Sequence, residues 1–345
     1  MSFVQTAIHV GERISWPDAV TRAAIGWLVG RTQQQLAGRS LDAERRFAQE
    51  MAAYPIAAHT TDANAQHYEI PAEFFGLVLG PQRKYSCCLY EGEEESLASA
   101  EERALRVSAE HADLADGQRI LELGCGWGSL SLWMARHYPA ARITSVSNSR
   151  SQRAFIMQQA MAEGLSNRDV VTADMNAFAP NGRFDRVVSV EMFEHMANWR
   201  PLLRRVRDCL EPDGRLFVHV FSHTRTPYRF SQDDKDDWIA HHYFTGGIMP
   251  SHGLIRQFGD CFTVASEWRW SGRNYQRTAQ DWLENYDANA DAILAVLDRV
   301  YGPAARLWQR RWRLFFLATM GLFGHAGGSE WGVSQYQLRP VGSPQ

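Results

Sequence analysis

Ile120-Leu-Glu-Leu-Gly-Cys-Gly-Trp-Gly128 is the stretch on which the fold turns. Ile120 to Leu123 reads as a short, mainly apolar strand, and Ser129 to His137 as a helix. The glycines at 124, 126 and 128 lie between them. Glycine accepts turn geometries closed to other residues and removes bulk where a ligand approaches the backbone. A bare glycine cluster is weak, but this one sits in a strand–loop–helix context. Its spacing is GxGxG, not the dinucleotide GxGxxG. Ser147 and Asn148 stand near the end of the next strand, where a dinucleotide site wants an acid for the ribose. The Lys-Ser/Thr pair of a phosphate loop is also absent.

Working outward, further strands are expected at Ile143–Val146, Val170–Ala173, Phe184–Val190 and Arg215–Phe221, with a helix over about 151–163. Strands separated by helix-length segments predict an α/β fold with a mostly parallel sheet covered on both faces. Upstream, Ala19–Leu36, Ala43–Met51 and Ser96–Ala112 carry helix-like patterns, and Pro55–Gln66 reads as a loop. Ser222–Leu297 breaks the rhythm. It is rich in His, Asp, Trp and Tyr, and reads as an insertion or lid over the C-terminal strand ends. Trp308, Trp312, Phe315 and Phe316 then define one helix face. That face either docks into the core or lines a site.

A chain of 345 residues suits one large core with an appended lobe. Apolar residues at 45% and charged residues at 22% exclude global disorder and a coiled-coil rod. Lys plus Arg is 36 against 39 acids, so no basic excess points to nucleic acid. Cysteines at 87, 88, 125, 209 and 261 form no CxxC pair and no zinc-like spacing, so no metal is expected and a reducing cytoplasm is the simplest location. No secretory signal and no transmembrane segment is expected. The 12 Trp and 17 Phe either fill a core or line a site for a bulky apolar or cationic ligand.

Glu122-Leu-Gly-Cys-Gly-Trp-Gly128 resembles motif I of class I S-adenosylmethionine-dependent methyltransferases. The likeness extends through Gln66-His-Tyr-Glu69, Phe74-Phe75, Lys84-Tyr-Ser-Cys-Cys88, Glu191-Met-Phe-Glu-His195, Asp236-Asp-Trp238, Phe244-Thr-Gly-Gly247 and Glu330-Trp331. Together these resemble the coclaurine N-methyltransferase group, itself similar to the cyclopropane and mycolic acid cyclopropane synthases. The resemblance implies a Rossmann-like methyltransferase in four parts. Residues 1–112 are an N-terminal helical, cofactor-covering region, and 113–221 the cofactor-binding core. Residues 222–300 are a substrate-binding lid, and 301–345 a C-terminal helix with a core-completing and substrate-pocket segment. It implies S-adenosylmethionine contacts at Tyr85, Ser86, Glu122, Gly124, Gly126, Gly128, Ser147, Asn148, Gln152, Asp174 and Met175. Asp174 also admits a plain reading as a strand-end turn or helix cap.

Glu191, Glu194 and His195 follow the fourth strand and, if helical, share one face. A protonated amine has no free lone pair for attack on a methyl sulfonium. An imidazole, with an ordinary pKa near 6.5, suits removal of that proton. The resemblance makes His195 the base and puts Glu191 beside the substrate nitrogen, with Glu194 completing the catalytic trio or supporting the loop. Tyr243, Phe244, Trp312, Phe316, Phe323 and Trp331 are the expected substrate-pocket aromatics. The expected activity is N-methylation of a small, aromatic or benzylisoquinoline-like amine, with a homodimer as the candidate assembly. The competing reading is cyclopropane synthase-like modification of a lipid alkene. Cys87, Glu194, His219 and Tyr275 match the residues that hold bicarbonate in those synthases. The discriminator is position 191, where the synthases carry glycine. A carboxylate suits a cationic amine and has no use beside an apolar alkene.

Overall fold

The computed structural model describes residues 11–14, 16–38, 42–58, 70–92, 94–230 and 237–342. The Gln66–Glu69 motif, Asp236 and most of the expected 55–66 loop lie outside the described residues. The central strands are Arg119–Leu123 (β1), Arg142–Ser147 (β2), Arg168–Thr172 (β3), Phe184–Val190 (β4) and Leu210–His223 (β5). Tyr228–Arg229 (β6) and Ile248–Met249 (β7) form a separate ribbon, and Phe262–Ser271 (β8) and Trp331–Pro340 (β9) complete the main sheet. Its order is β3-β2-β1-β4-β5-β9-β8, parallel through β5 and antiparallel at β9. The expected Rossmann-like α/β architecture is therefore present, with the mostly parallel sheet made mixed by β9.

The sheet order decides where a ligand can sit. β1 pairs with β2 on one side and β4 on the other, so the winding reverses between β1 and β4. A crevice opens outside the strand ends at such a reversal. The glycine loop leaves β1 into this crevice, and Glu191–His195 leave β4 into it.

Asp18–Ala37 (α1), Ala43–Glu50 (α2), Ala72–Val78 (α3) and Leu97–His111 (α4) precede the sheet. Ser129–His137 (α5), Arg150–Ala162 (α6) and Trp199–Asp208 (α7) connect its strands. Trp238–His242 (α8), Gly272–Ala288 (α9), Ala290–Tyr301 (α10) and Ala305–Gly324 (α11) build the cover. Ser96 and Ser149 cap α4 and α6 by accepting the Ser99 and Gln152 amides, which satisfies donors that a helix start leaves orphaned.

One expectation needs correction. Residues 262–271 fall inside the stretch read as a lid, yet they form the edge strand β8. Most β8 side chains are exposed, and its register shifts between Val264 and Ser266, so the alternating apolar signal is broken. β9 hides differently. Ser334 and Gln335 are fully buried in it, and their polar groups are satisfied across the sheet by Ser222 and His219. Buried polar residues erase the apolar run that marks a central strand.

His223, at the end of β5, links the fold to pH. Its Nδ1 accepts the Thr226 amide at 2.9 Å, and burial pushes its pKa down to about 4. The unfolded imidazole titrates near 6.5. Between these values the unfolded chain binds the proton and the folded chain does not, so stability falls as pH falls from about 6.5 to about 4. The urea midpoint should drop across that window. His223→Asn, which retains a side-chain acceptor, should lose part of the drop; an identical pH slope in the variant would contradict this origin.

Candidate active site

The glycine loop is built by backbone geometry. Gly124, Gly126 and Gly128 all have positive φ, at 80°, 52° and 83°. A β-carbon on Gly124 would stand 2.5 Å from Met192 and one on Gly128 2.6 Å from Ile156. On Gly126 it would meet nothing within 4 Å. Gly124 and Gly128 are thus demanded by packing, while Gly126 keeps the backbone bare toward the cleft it lines.

Behind the loop, the buried Glu122 carboxyl accepts hydrogen bonds from the Ser131 and Ser145 hydroxyls. Burial raises its pKa against both hydrogen bonds. Ser147 donates to Gln152 at 2.7 Å and accepts the Ser149 amide at 3.0 Å, which ties the end of β2 to the start of α6. Asp174 accepts the Asn176 amide at 2.7 Å, so it makes the plain strand-end turn while also facing the cleft.

Of the expected cofactor residues, Tyr85, Ser86, Glu122, Gly124, Gly126, Ser147, Asn148, Gln152, Asp174 and Met175 line one cleft. Gly128 shapes the turn from behind. These residues come from four separate parts of the chain, and they surround bared backbone, a strand-end carboxylate and a buried lysine. That set fits a nucleoside joined to a charged tail.

The acid–base residues do not form an α-helical face. Glu191 has φ of +47°, a conformation rare outside glycine, and Phe193–His195 is a single 3-10 turn. The kink sends Glu191 away along its own path. Its Oε1 accepts the Cys87 amide at 2.9 Å, and its Oε2 accepts the Tyr275 hydroxyl at 2.6 Å. His219 Nε2 lies 3.3 Å from Oε1, without the alignment of a full hydrogen bond. The Gln335 amide donates to His219 Nδ1 at 2.9 Å, so the ring's proton stands on Nε2, facing the carboxylate. Burial keeps that imidazole below its ordinary pKa and hence neutral.

The two carboxyls take opposite charge states. Burial alone would raise the Glu191 pKa, but His219, the Lys84 charge and the Tyr275 hydroxyl outweigh it and hold the group ionised. Glu194 is fully buried, and neither oxygen has a hydrogen-bond partner in another described residue. Burial and then the Glu191 charge push its pKa well up, so it is neutral. Such splitting of neighbouring titratable groups is a mark of acid–base sites. The His195 ring stacks on Phe244 at 5.1 Å and 5°, and both line the cleft.

The aromatic expectations divide. Phe244 lines the cleft; Tyr243, Trp312, Phe316, Phe323 and Trp331 do not. They are buried in a continuous aromatic core with Phe74, Phe75, Trp282 and Tyr286. On α11 it is Phe315 and Thr319, four residues apart, that reach the cleft instead. Spacing identified the helix face, but the flanking elements set which edge of it meets the crevice. Lys84, Phe221, Tyr275 and Trp282 are further lining residues outside the expected cofactor and substrate sets. For Lys84 the only sequence signal was its place beside Tyr85 and Ser86.

Among the described residues no group of His, Cys, Asp or Glu is arranged to hold a metal ion, and no helix is long and apolar enough to cross a membrane. Residues 57–323 match the family model described as mycolic acid cyclopropane synthetase. The chain is 35% identical over 284 residues to (S)-coclaurine N-methyltransferase of Thalictrum flavum subsp. glaucum, covering 81% of this chain and 79% of the relative. Pavine N-methyltransferase of the same plant is 31% identical over 293 residues, covering 84% and 82%. A crystal structure of coclaurine N-methyltransferase bound to N-methylheliamine and SAH superposes with a TM-score of 0.90 at 31% identity, covering 94% of this chain and 96% of that one.

Proposed function

From the premise that this chain belongs to the mycolic acid cyclopropane synthetase family and is an S-adenosylmethionine-dependent methyltransferase, we propose that it methylates the nitrogen of a small, aromatic, benzylisoquinoline-like amine. The observation that carries this reading is the seat of the Glu191 carboxylate. It occupies the space between the Cys87 amide, the Tyr275 hydroxyl and His219, three of the residues that the resemblance matches to the bicarbonate site of cyclopropane synthases. Cyclopropanation needs that anion to take a proton from a carbocation. Here a fixed side chain fills its place, and an amine substrate needs no such anion.

S-adenosylmethionine, when bound, supplies an electrophilic methyl group on a sulfonium. The chain's own residues do the rest. Tyr85, Ser86, Glu122, Ser147, Asn148, Gln152, Asp174 and Met175 hold the cofactor against the bared backbone at Gly124 and Gly126. His195, oriented by its stack on Phe244, takes the proton from the substrate ammonium and frees the nitrogen lone pair. Glu194 is an acceptor in waiting: an approaching cation favours its ionised form and is held by it. Glu191 fixes the loop after β4 and keeps a negative charge near the cationic amine. Phe221, Phe244, Phe315 and Trp282 supply apolar and cation–π surface. Alignment and exclusion of water are what such a transfer chiefly requires.

The direct test is purified protein with S-adenosylmethionine, offered benzylisoquinoline-type amines and, separately, vesicles of unsaturated phospholipid. Mass spectrometry should find about one CH₂ equivalent added to the amine, as expected of a single transferred methyl group. The same increment on the phospholipid and none on any amine would reverse the reading. The partner proposal is a small-molecule amine and no nucleic acid, in a cytoplasmic protein; light scattering in solution decides whether it forms a homodimer.

A further inference from the structure

Lys84 is only 1% exposed, yet it lines the cleft. Its ammonium donates to the Ser86 hydroxyl and to the Cys87 carbonyl, each at 2.6 Å. An ammonium carries three protons, so one donor remains. Lys84 forms no ion pair among the described residues. The nearby acids are engaged elsewhere. Glu101 accepts the backbone amides of Gln82 and Lys84, and Glu191 is held by Cys87 and Tyr275. Glu101 and Glu191 act on that ammonium only through space, and a ligand anion in direct contact with it lowers the remaining cost of its burial.

Ser86 is 6% exposed and shares the cleft wall. Its oxygen accepts from Lys84, which leaves its own proton to donate. Two donors, one of them charged, therefore stand side by side. Charge-assisted pairs of this kind select carboxylates.

We propose that Lys84 is a cofactor-binding residue and, with Ser86, clamps the α-carboxylate at the methionine end of S-adenosylmethionine. The clamp rests on the methyltransferase reading and adds a charge-recognising residue to it. It also links two parts of the site, because the same ammonium holds the turn whose Cys87 amide meets Glu191.

Calorimetric titration with S-adenosylhomocysteine and with 5′-methylthioadenosine separates the alternatives. The second ligand keeps the adenosine and thioether but lacks the carboxylate. Lys84→Gln keeps a donor for Ser86 and Cys87 but loses the charge; Lys84→Met loses both. Each variant should bind S-adenosylhomocysteine about 10- to 100-fold more weakly, the worth of a charge-assisted hydrogen bond, with methylthioadenosine affinity unchanged. Unchanged S-adenosylhomocysteine affinity in Lys84→Gln would overturn the clamp. So would an equal loss of both ligands, which marks Lys84 as a brace for the turn. Should Lys84→Met fail to fold, Lys84→Gln carries the test. Wild-type protein that binds neither ligand would instead overturn the cofactor site itself.

Discussion

Replacing His195 with alanine is expected to lower amine methylation about 10²- to 10⁴-fold, the usual worth of a positioned general base. S-adenosylhomocysteine affinity should be retained, because the residues around the glycine loop are untouched. The loss should narrow as pH rises, since a substrate amine that is already deprotonated needs no base. This pattern separates proton removal from a packing defect, which would persist at every pH. His195 is half-buried and stacked on Phe244, so alanine leaves a gap beside that ring. His195→Gln fills most of the gap without restoring a base, and it should be as impaired as alanine. Normal turnover of either variant with excess amine at neutral pH would remove His195 from the mechanism.

Glu191→Gly is the second change with a large expected effect, and the backbone makes it unusually clean. Glu191 already sits at φ of +47°, where glycine is at ease and other residues are strained. The substitution therefore removes the carboxylate without asking the chain to move. What remains is a small chamber beside His219, lined by the Cys87 amide and the Tyr275 hydroxyl, both of which have lost their acceptor. Each buried donor left unsatisfied costs about 1–3 kcal/mol, so both stability and the alignment of the loop should suffer. Methylation should fall about 10²-fold or more, by analogy with the loss of a positioned charged group.

The donors left behind suit a small oxyanion. Added bicarbonate should raise the melting temperature of Glu191→Gly by mass action and restore part of its activity, while the wild type stays indifferent. A variant that ignores bicarbonate in both measurements would contradict the assignment of this place to an anion.

The glycine loop, the first five strands and the Glu191–His195 segment were legible because each is a short run of consecutive residues with a local signal. Apolar strand, turn and helix follow one another along the chain, and backbone preferences read such runs directly. β8 and β9 left no such signal. One is an exposed edge strand with an irregular register, and the other buries serines and glutamines that are satisfied only by strands far away in sequence.

The substrate wall was harder still. Trp312 and Phe316 promised a pocket by composition, but Phe315 and Thr319 reach the cleft. Which edge of a helix faces a ligand depends on the elements packed against the rest of it. Here α9, α10 and α1 surround α11 and take up its largest rings.

The sequence by itself determined the Rossmann-like methyltransferase core, the glycine loop and the three residues proposed as the acid–base trio, since covalent neighbours carry those motifs intact. Only the tertiary structure decided the charge states within the trio. Glu191 is ionised because His219, the Lys84 charge and the Tyr275 hydroxyl, all distant in sequence, converge on it and outweigh its burial, and Glu194 is neutral because it is buried beside that charge with no hydrogen-bond partner in another described residue. A carboxyl's protonation is set by its solvation and its neighbours in space, and neither is written in the residues beside it.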